Sequence, residues 1–315
     1  MGRKQVSRRT IEQLAKIYLL TVMVGVRIIH YNAGRHSGIG WRNVMDSDDL
    51  LELADDPNFI SGIYNYCDRW CERCAFTSRC FLYASEKADV DQDDPDTRDL
   101  NNAKFWRKLA LIFKDTHDLI RKCAEEAGVD LDSIEAEAAI AAHDRKTETA
   151  KKHELSTVAR DYARMVEQWF AKELAEEEKI HVDAARSETP AEKIDLAAAV
   201  EVIRWYQFFI AAKVFRALLN DDDEEIENDL ADDNEMVRDA AQNDSNGSAK
   251  VALIAIDRSM SAWWAVQSCL PDKKDSTAPL MAVLERLRDG IETVLPQARD
   301  FLRPGFDEVL SDFVS

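Results

Sequence analysis

The sequence predicts an all-α protein: a multi-helix bundle, one domain over residues 1–315, with a compact four-cysteine loop between its early helices. Three observations carry this. Glycine and proline are scarce, ten and seven in 315 residues, while alanine, leucine, glutamate and aspartate are abundant. Apolar residues recur with helical spacing over long runs that contain no breaker. No stretch shows the apolar–polar alternation of a half-buried strand.

The elements follow in order. A first helix is expected from about Ser7 to His30, ending before the glycine-rich turn 32–41. That turn follows a helix, whereas a phosphate-cradling loop needs a strand before it. Ser47 caps a short helix that Pro57 closes. The cysteine loop occupies about residues 64–84. A helix over about 98–127 then stops at Gly128, a residue suited to the left-handed C-terminal position. Residues 131–180 contain neither glycine nor proline, with a break expected within the charged run 146–154. In this stretch Val158, Tyr162, Met165, Val166, Trp169 and Phe170 form one apolar stripe. Pro190 opens a helix that runs to about Leu219 and is apolar almost all round. Residues 243–248, NDSNGS, read as a turn, followed by an apolar helix over Ser248–Leu270 and a last helix over about Ser276–Leu295.

Charge narrows the function classes. The net charge is −19, which argues against binding a nucleic-acid backbone and points to a basic protein as the kind of partner the surface would accept. The acid is concentrated: residues 220–245 hold twelve carboxylates against Arg238 alone, so about 220–246 reads as a mobile loop or weak solvated helix. The most apolar run, Ile17–Ile29, is too short to cross ~30 Å of hydrocarbon. A cytoplasmic protein without a membrane span is the expectation, and the absence of a spread-out cysteine framework agrees with a reducing compartment. Cys123 and Cys269 stand alone in helical sequence and read as small buried hydrophobes.

The chemistry lies in Cys67, Cys71, Cys74 and Cys80, a C-x3-C-x2-C-x5-C pattern within fourteen residues. Four soft thiolates this close can surround one metal centre and select zinc or iron–sulfur iron over hard cations. Structural zinc sites use two knuckles separated by a longer loop, whereas compact single runs are common iron–sulfur ligand sets. A [4Fe-4S] cluster is therefore the first reading and Zn2+ the alternative. On a helix Cys67, Cys71 and Cys74 would share a face, and the helix must break near Thr77–Ser78 for Cys80 to join them. Arg69, Arg73 and Arg79, interleaved with the cysteines, would offset thiolate charge, and Trp70 and Phe76 are among the aromatics that would shield a centre.

The portion from Cys71 to Tyr83 resembles the cluster loop of endonuclease III-type DNA glycosylases, which ends in C-x2-C-x5-C with an aromatic soon after. The first spacer is three here where that family has six, and no helix-hairpin-helix glycine motif is visible. The resemblance implies a [4Fe-4S] ligand role for the four cysteines on a helical scaffold and carries no glycosylase activity with it. The first three cysteines also fit the radical-SAM spacing, but that family is built on strands this sequence does not predict.

Three functions are open at this point: an iron–sulfur protein for electron transfer, redox sensing or structure; a structural-zinc interaction module; and a cluster-supported enzyme. The last would need a pocket. Charges interrupt the two apolar helices at Glu201, Arg204, Lys213 and Arg216, and at Lys250, Asp257 and Arg258. Such charges need partners, so a paired network between the helices is expected, with a small-molecule pocket at Glu201, Arg204, Lys250, Asp257 and Arg258 as the functional possibility. The single ExxH, Glu178 and His181, falls short of the paired motif of a di-iron bundle.

Overall fold

The computed structural model of the protein describes residues 56–88, 99–128, 130–174, 190–219 and 242–307, together with Leu53 and Asp96. The expected first helix, the glycine-rich turn, the ExxH pair and the acidic tract up to residue 241 lie outside the described residues.

Seven α-helices and no strand occur among the described residues: α1 (Phe81–Ala88), α2 (Ala103–Ala127), α3 (Ile134–Lys152), α4 (Glu154–Leu174), α5 (Pro190–Leu219), α6 (Asp244–Cys269) and α7 (Lys274–Val294). The all-helical expectation therefore holds. The described residues divide into two compact units, one from those before Ser61 together with Cys71–His143, the other from Ser61–Trp70 together with those from Asp144 on.

In the first unit, Asn102 sets the start of α2 by accepting the Lys104 backbone N–H at 3.0 Å, and Gly128 ends it at φ 68°. The helix starts later than expected because Asp99 ties residues 99–101 into a turn, accepting the Asn101 N–H at 2.9 Å. The Phe59 ring meets Phe81 edge-on at 6.2 Å.

The second unit holds the large core. Helix α5 packs most extensively on α6, and the contacts α5–α4, α4–α7 and α7–α6 close the ring of four. The predicted stripe of α4 faces inward: Val158, Tyr162, Val166, Trp169 and Phe170 are buried and Met165 is partly so. Across the centre, the Trp263 indole donates to the Tyr162 hydroxyl at 3.0 Å, so two large aromatics are buried with their polar tips satisfied. Small residues line α5 and α6 (Ala199, Ala217, Ala249, Ala252 and Ala255), which suits close packing of that pair.

One boundary falls inside the run where the sequence places it, and another differs from the sequence reading. The break between α3 and α4 is narrow and falls at His153, whose Nδ1 accepts the Leu155 N–H at 3.2 Å. Residues 244–248 are the first turn of α6 and not a turn before it: Asn243 is the N-cap, accepting the Asn246 N–H at 2.8 Å. Gly247 sits inside this helix because a Cβ there would lie 2.4 Å from the Tyr66 ring and 2.8 Å from the Phe301 ring.

Candidate metal centre

Cys67 lies on the segment Ser61–Trp70, a strap laid on the helices of the second unit and fixed at nearly every step. Ile63 is buried. The Lys213 ammonium, from α5, donates to the Asn65 carbonyl at 2.7 Å. The Tyr66 hydroxyl donates to Asp244 at 2.9 Å, and its ring packs on Phe301 with centroids 4.5 Å apart. The Trp205 indole donates to the Asp68 carbonyl at 3.0 Å, while the Asp68 carboxylate accepts from the Tyr206 hydroxyl at 2.8 Å and from Arg258. Trp70 is buried and stacks on Trp205, centroids 4.8 Å apart and planes 16° from parallel.

Between these anchors Arg69 takes the left-handed conformation, φ 61°. That conformation disfavours a side-chain-bearing residue by about 1 kcal/mol, which the contacts of Asp68 and Trp70 on either side offset.

Burial and charge compete around Cys67. Burial pushes its thiol pKa up, while the Arg69 and Lys213 cations pull it down, with burial prevailing. Burial lowers Lys213 to about 8, and Arg216 pushes in the same direction. Asp244 is raised by burial but held below the usual carboxylate range overall by Arg216, which grips it through two nitrogens at 2.9 and 2.7 Å. Burial, then the Asp68 charge, pushes the Tyr206 hydroxyl upward.

Cys71, Cys74 and Cys80 lie in the first unit on short turns. The expected helix over Cys67–Cys74 is absent: Cys71–Arg73 is a single 3-10 turn, and the Cys74 N–H reaches only the Cys71 carbonyl, at 3.2 Å. Thr77–Arg79 is a second 3-10 turn, and Cys80 is extended at φ −114°, ψ 110° before α1 begins. The chain therefore changes direction at Thr77–Arg79. The Cys67 thiol donates to the Tyr64 carbonyl at 3.6 Å, and the Cys74 sulfur accepts the Phe76 N–H at 3.4 Å. The four cysteines are half-buried, and no disulfide joins the described cysteines. Among the described residues no group of three or more His, Cys, Asp or Glu side chains is gathered as a metal site.

The flanking residues divide. Trp70 belongs to the helical core, Phe76 is half-buried, and Arg73 and Arg79 are exposed, with Arg79 donating to the Asn58 carbonyl at 3.4 Å.

The five residues of the expected polar pocket do not converge. Lys250 pairs with Asp307 at 2.9 Å, Asp257 with Arg299 at 2.8 Å, and Arg258 with Asp68. Arg204 lies over the Phe170 ring at 4.6 Å, and Glu201 is exposed. Among the described residues Lys213 and Arg258 reach the strap, Lys250 and Asp257 reach the C-terminal segment, and Arg216 pairs with Asp244 at the start of α6. A cleft of about 650 Å³ does occur in the first unit, between Asp56–Phe59 and Thr77–Lys87.

Asp68, Trp205, Tyr206 and Tyr66 were not singled out as anchors by sequence. The signal for Asp68 was its place between two cysteines. The signal for Tyr206 was a hydroxyl-bearing aromatic in a helix with no polar face.

No family model matches the chain, and neither a curated protein nor a solved structure is similar to it.

Proposed function

We propose that the chain is a metal-centre protein that binds a [4Fe-4S] cluster through Cys67, Cys71, Cys74 and Cys80. The observation that carries the reading is the presence of four thiols within fourteen residues. The donor set fits the group: thiolate is the ligand such clusters take, and none of these cysteines is consumed by a disulfide. The turn at Thr77–Arg79 supports it further, since a continuous helix would have aimed Cys80 away from the other three. The likeness of Cys71–Tyr83 to a glycosylase cluster loop points the same way.

When bound, such a centre supplies one-electron transfer or a structural cross-link. Four protein ligands leave no iron open to a substrate, which favours electron transfer, redox sensing or a structural role over Lewis-acid catalysis. The strap carries Cys67, and three residues on, Trp70 is buried and stacks on the partly buried Trp205. On this reading the protein works in the cytoplasm, and its acidic surface meets a basic protein partner. None of the described helices is long and apolar enough to cross a membrane.

A second reading, a structural zinc knuckle in an interaction module, is favoured by the docking of the strap on the helical core, where a zinc site would pin one part of the chain. The cluster-supported enzyme draws no support from the dispersed Glu201, Arg204, Lys250, Asp257 and Arg258.

Metal analysis of anaerobically purified protein, with iron, acid-labile sulfide and zinc assayed per chain, tests the proposal. Iron with sulfide supports the cluster. Zinc alone supports the second reading, and neither metal overturns both.

A further inference from the structure

The cleft of the first unit, about 650 Å³, has room for a small organic ligand. Its two walls are tied to each other. The Ile60 N–H donates to the Arg79 carbonyl at 3.0 Å, Arg79 Nε donates to the Asn58 carbonyl at 3.4 Å, and the Phe59 ring rests edge-on against Phe81. Each wall is also fixed within itself. The Phe59 N–H closes a turn on the Asp56 carbonyl at 3.1 Å, and the Arg79 N–H closes the Thr77–Arg79 turn on the Phe76 carbonyl at 3.0 Å. The cleft is thus preformed by backbone bonds and ring packing.

The chain as a whole is strongly acidic, yet this lining brings two cations, Arg79 and Lys87, against one carboxylate, Asp56. Among the described residues no carboxylate forms an ion pair with either cation. Arg79 uses its Nε on Asn58, and the Lys87 ammonium lies 5.4 Å from the centre of the Tyr83 ring. Asp56 is engaged by its own loop: its Oδ1 accepts the Asn58 N–H at 2.9 Å and the Asn58 side-chain amide at 2.8 Å. The terminal nitrogens of Arg79 and the Lys87 ammonium are left for an outside anion, with the Thr77 and Ser78 hydroxyls in the same lining. A phosphate monoester suits them, since it brings close to two negative charges to two cations and three acceptor oxygens to their donors. Phe59 and Tyr83 add aromatic rings to the lining, and a flat ring on the ligand can stack on such surfaces.

We propose that this cleft binds a small aromatic phosphate, a phosphate monoester that carries a flat ring. Arg79 and Lys87 hold the phosphate, and Phe59 and Tyr83 hold the ring. None of Cys67, Cys71, Cys74 and Cys80 lines the cleft, so no metal at those cysteines is required. A long nucleic-acid strand is a poor ligand, because the net charge of −19 repels the phosphates that would lie outside the cleft.

The test titrates the full chain with adenosine monophosphate and with phenyl phosphate, followed by ligand-observed NMR and calorimetry. Adenosine and inorganic phosphate present the two halves separately. Each aromatic phosphate should bind about tenfold or more tightly than either half. The double variant Arg79→Gln, Lys87→Gln should weaken both aromatic phosphates about tenfold and leave adenosine unchanged. Tyr83→Leu should weaken the ring-bearing probes and leave inorganic phosphate unchanged. Lys87→Gln alone changes an exposed residue that takes no part in tying the walls, so it should weaken both aromatic phosphates several-fold with an unaltered thermal melt. Failure of both aromatic phosphates to bind the wild type at millimolar concentration overturns the inference. So does binding that Lys87→Gln and the double variant leave unchanged, or inorganic phosphate that binds as tightly as phenyl phosphate.

Discussion

Asp68 and Arg258, 190 residues apart, are joined by an ion pair that also takes in the Tyr206 hydroxyl, to which Arg258 donates at 2.6 Å. The carboxylate is three-quarters buried and the guanidinium half exposed. The pair therefore acts less through its own attraction than by satisfying a buried tyrosine and fixing the residue next to Cys67. Asp68→Ala should destabilise the protein by about 1–3 kcal/mol, since it leaves the Tyr206 hydroxyl short of its acceptor. Arg258→Ala should cost less, about 1 kcal/mol, because water replaces much of what its exposed head loses. Chemical denaturation of both variants checks the order, and an Arg258→Ala loss larger than that of Asp68→Ala would contradict it.

Gly247→Ala separates helix propensity from packing. Inside an exposed helix the change would stabilise by up to about 1 kcal/mol. Here the new methyl would meet Tyr66 at 2.4 Å and Phe301 at 2.8 Å, so overpacking should win and the net effect should be a loss of about 1–2 kcal/mol. The Tyr66→Leu, Gly247→Ala double variant should recover part of that loss, because the closer of the two clashes is with the tyrosine ring. Thermal melts of the single and double variants measure it.

Acid should weaken the attachment of the C-terminal segment. Asp307 is held far below its ordinary 3.8: burial would raise it, but bonds from Arg303 and Lys250 prevail. A carboxylate depressed in the folded state contributes stability that is fully present above its unfolded pKa and is lost as pH falls toward the folded one. Stability should therefore be level with respect to this group above about pH 5 and decline below about pH 4. Asp307→Asn should be less stable at neutral pH and show a shallower acid limb in a pH series of denaturation curves. An acid limb as steep as that of the wild type would show that Asp307 is not among the groups responsible.

How much of this was legible in the sequence depends on how local the cause is. Gly128 ending α2, Pro190 opening α5 and the stripe of Val158, Tyr162 and Val166 all express backbone or periodicity rules that act within a turn or two, and they were readable. Residues 243–248 read as a turn because side chains that favour turns are also those that cap helices, and here Asn243 caps α6. The spacing of Cys67, Cys71 and Cys74 suits a helix, yet Asp68 and Trp70 are drawn onto α5 and α6, which leaves Arg69 with a positive φ and no helical register to continue. The charges in α5 and α6 are expected from sequence to pair between the two helices, and Arg216 with Asp244 does so, but other partners among the described residues lie elsewhere. Those partners, Asn65, Asp68, Phe301 and Asp307, lie on segments without a periodicity of their own, so no pattern announced them.

Single replacement of each clustered cysteine by serine should reduce metal content sharply, whereas Cys269→Ser should leave it unchanged, because Cys269 packs against the core of the second unit. Metal per chain by elemental analysis reads this out. Full occupancy in any one of the four variants would remove that cysteine from the ligand set.

The most direct measurement is the absorption spectrum of the anaerobically purified wild type taken with its iron and sulfide content. A brown protein with a broad band near ~400 nm and with iron and acid-labile sulfide in comparable amounts is expected. A colourless protein without iron or sulfide, whether it carries zinc or no metal, would contradict the iron–sulfur assignment.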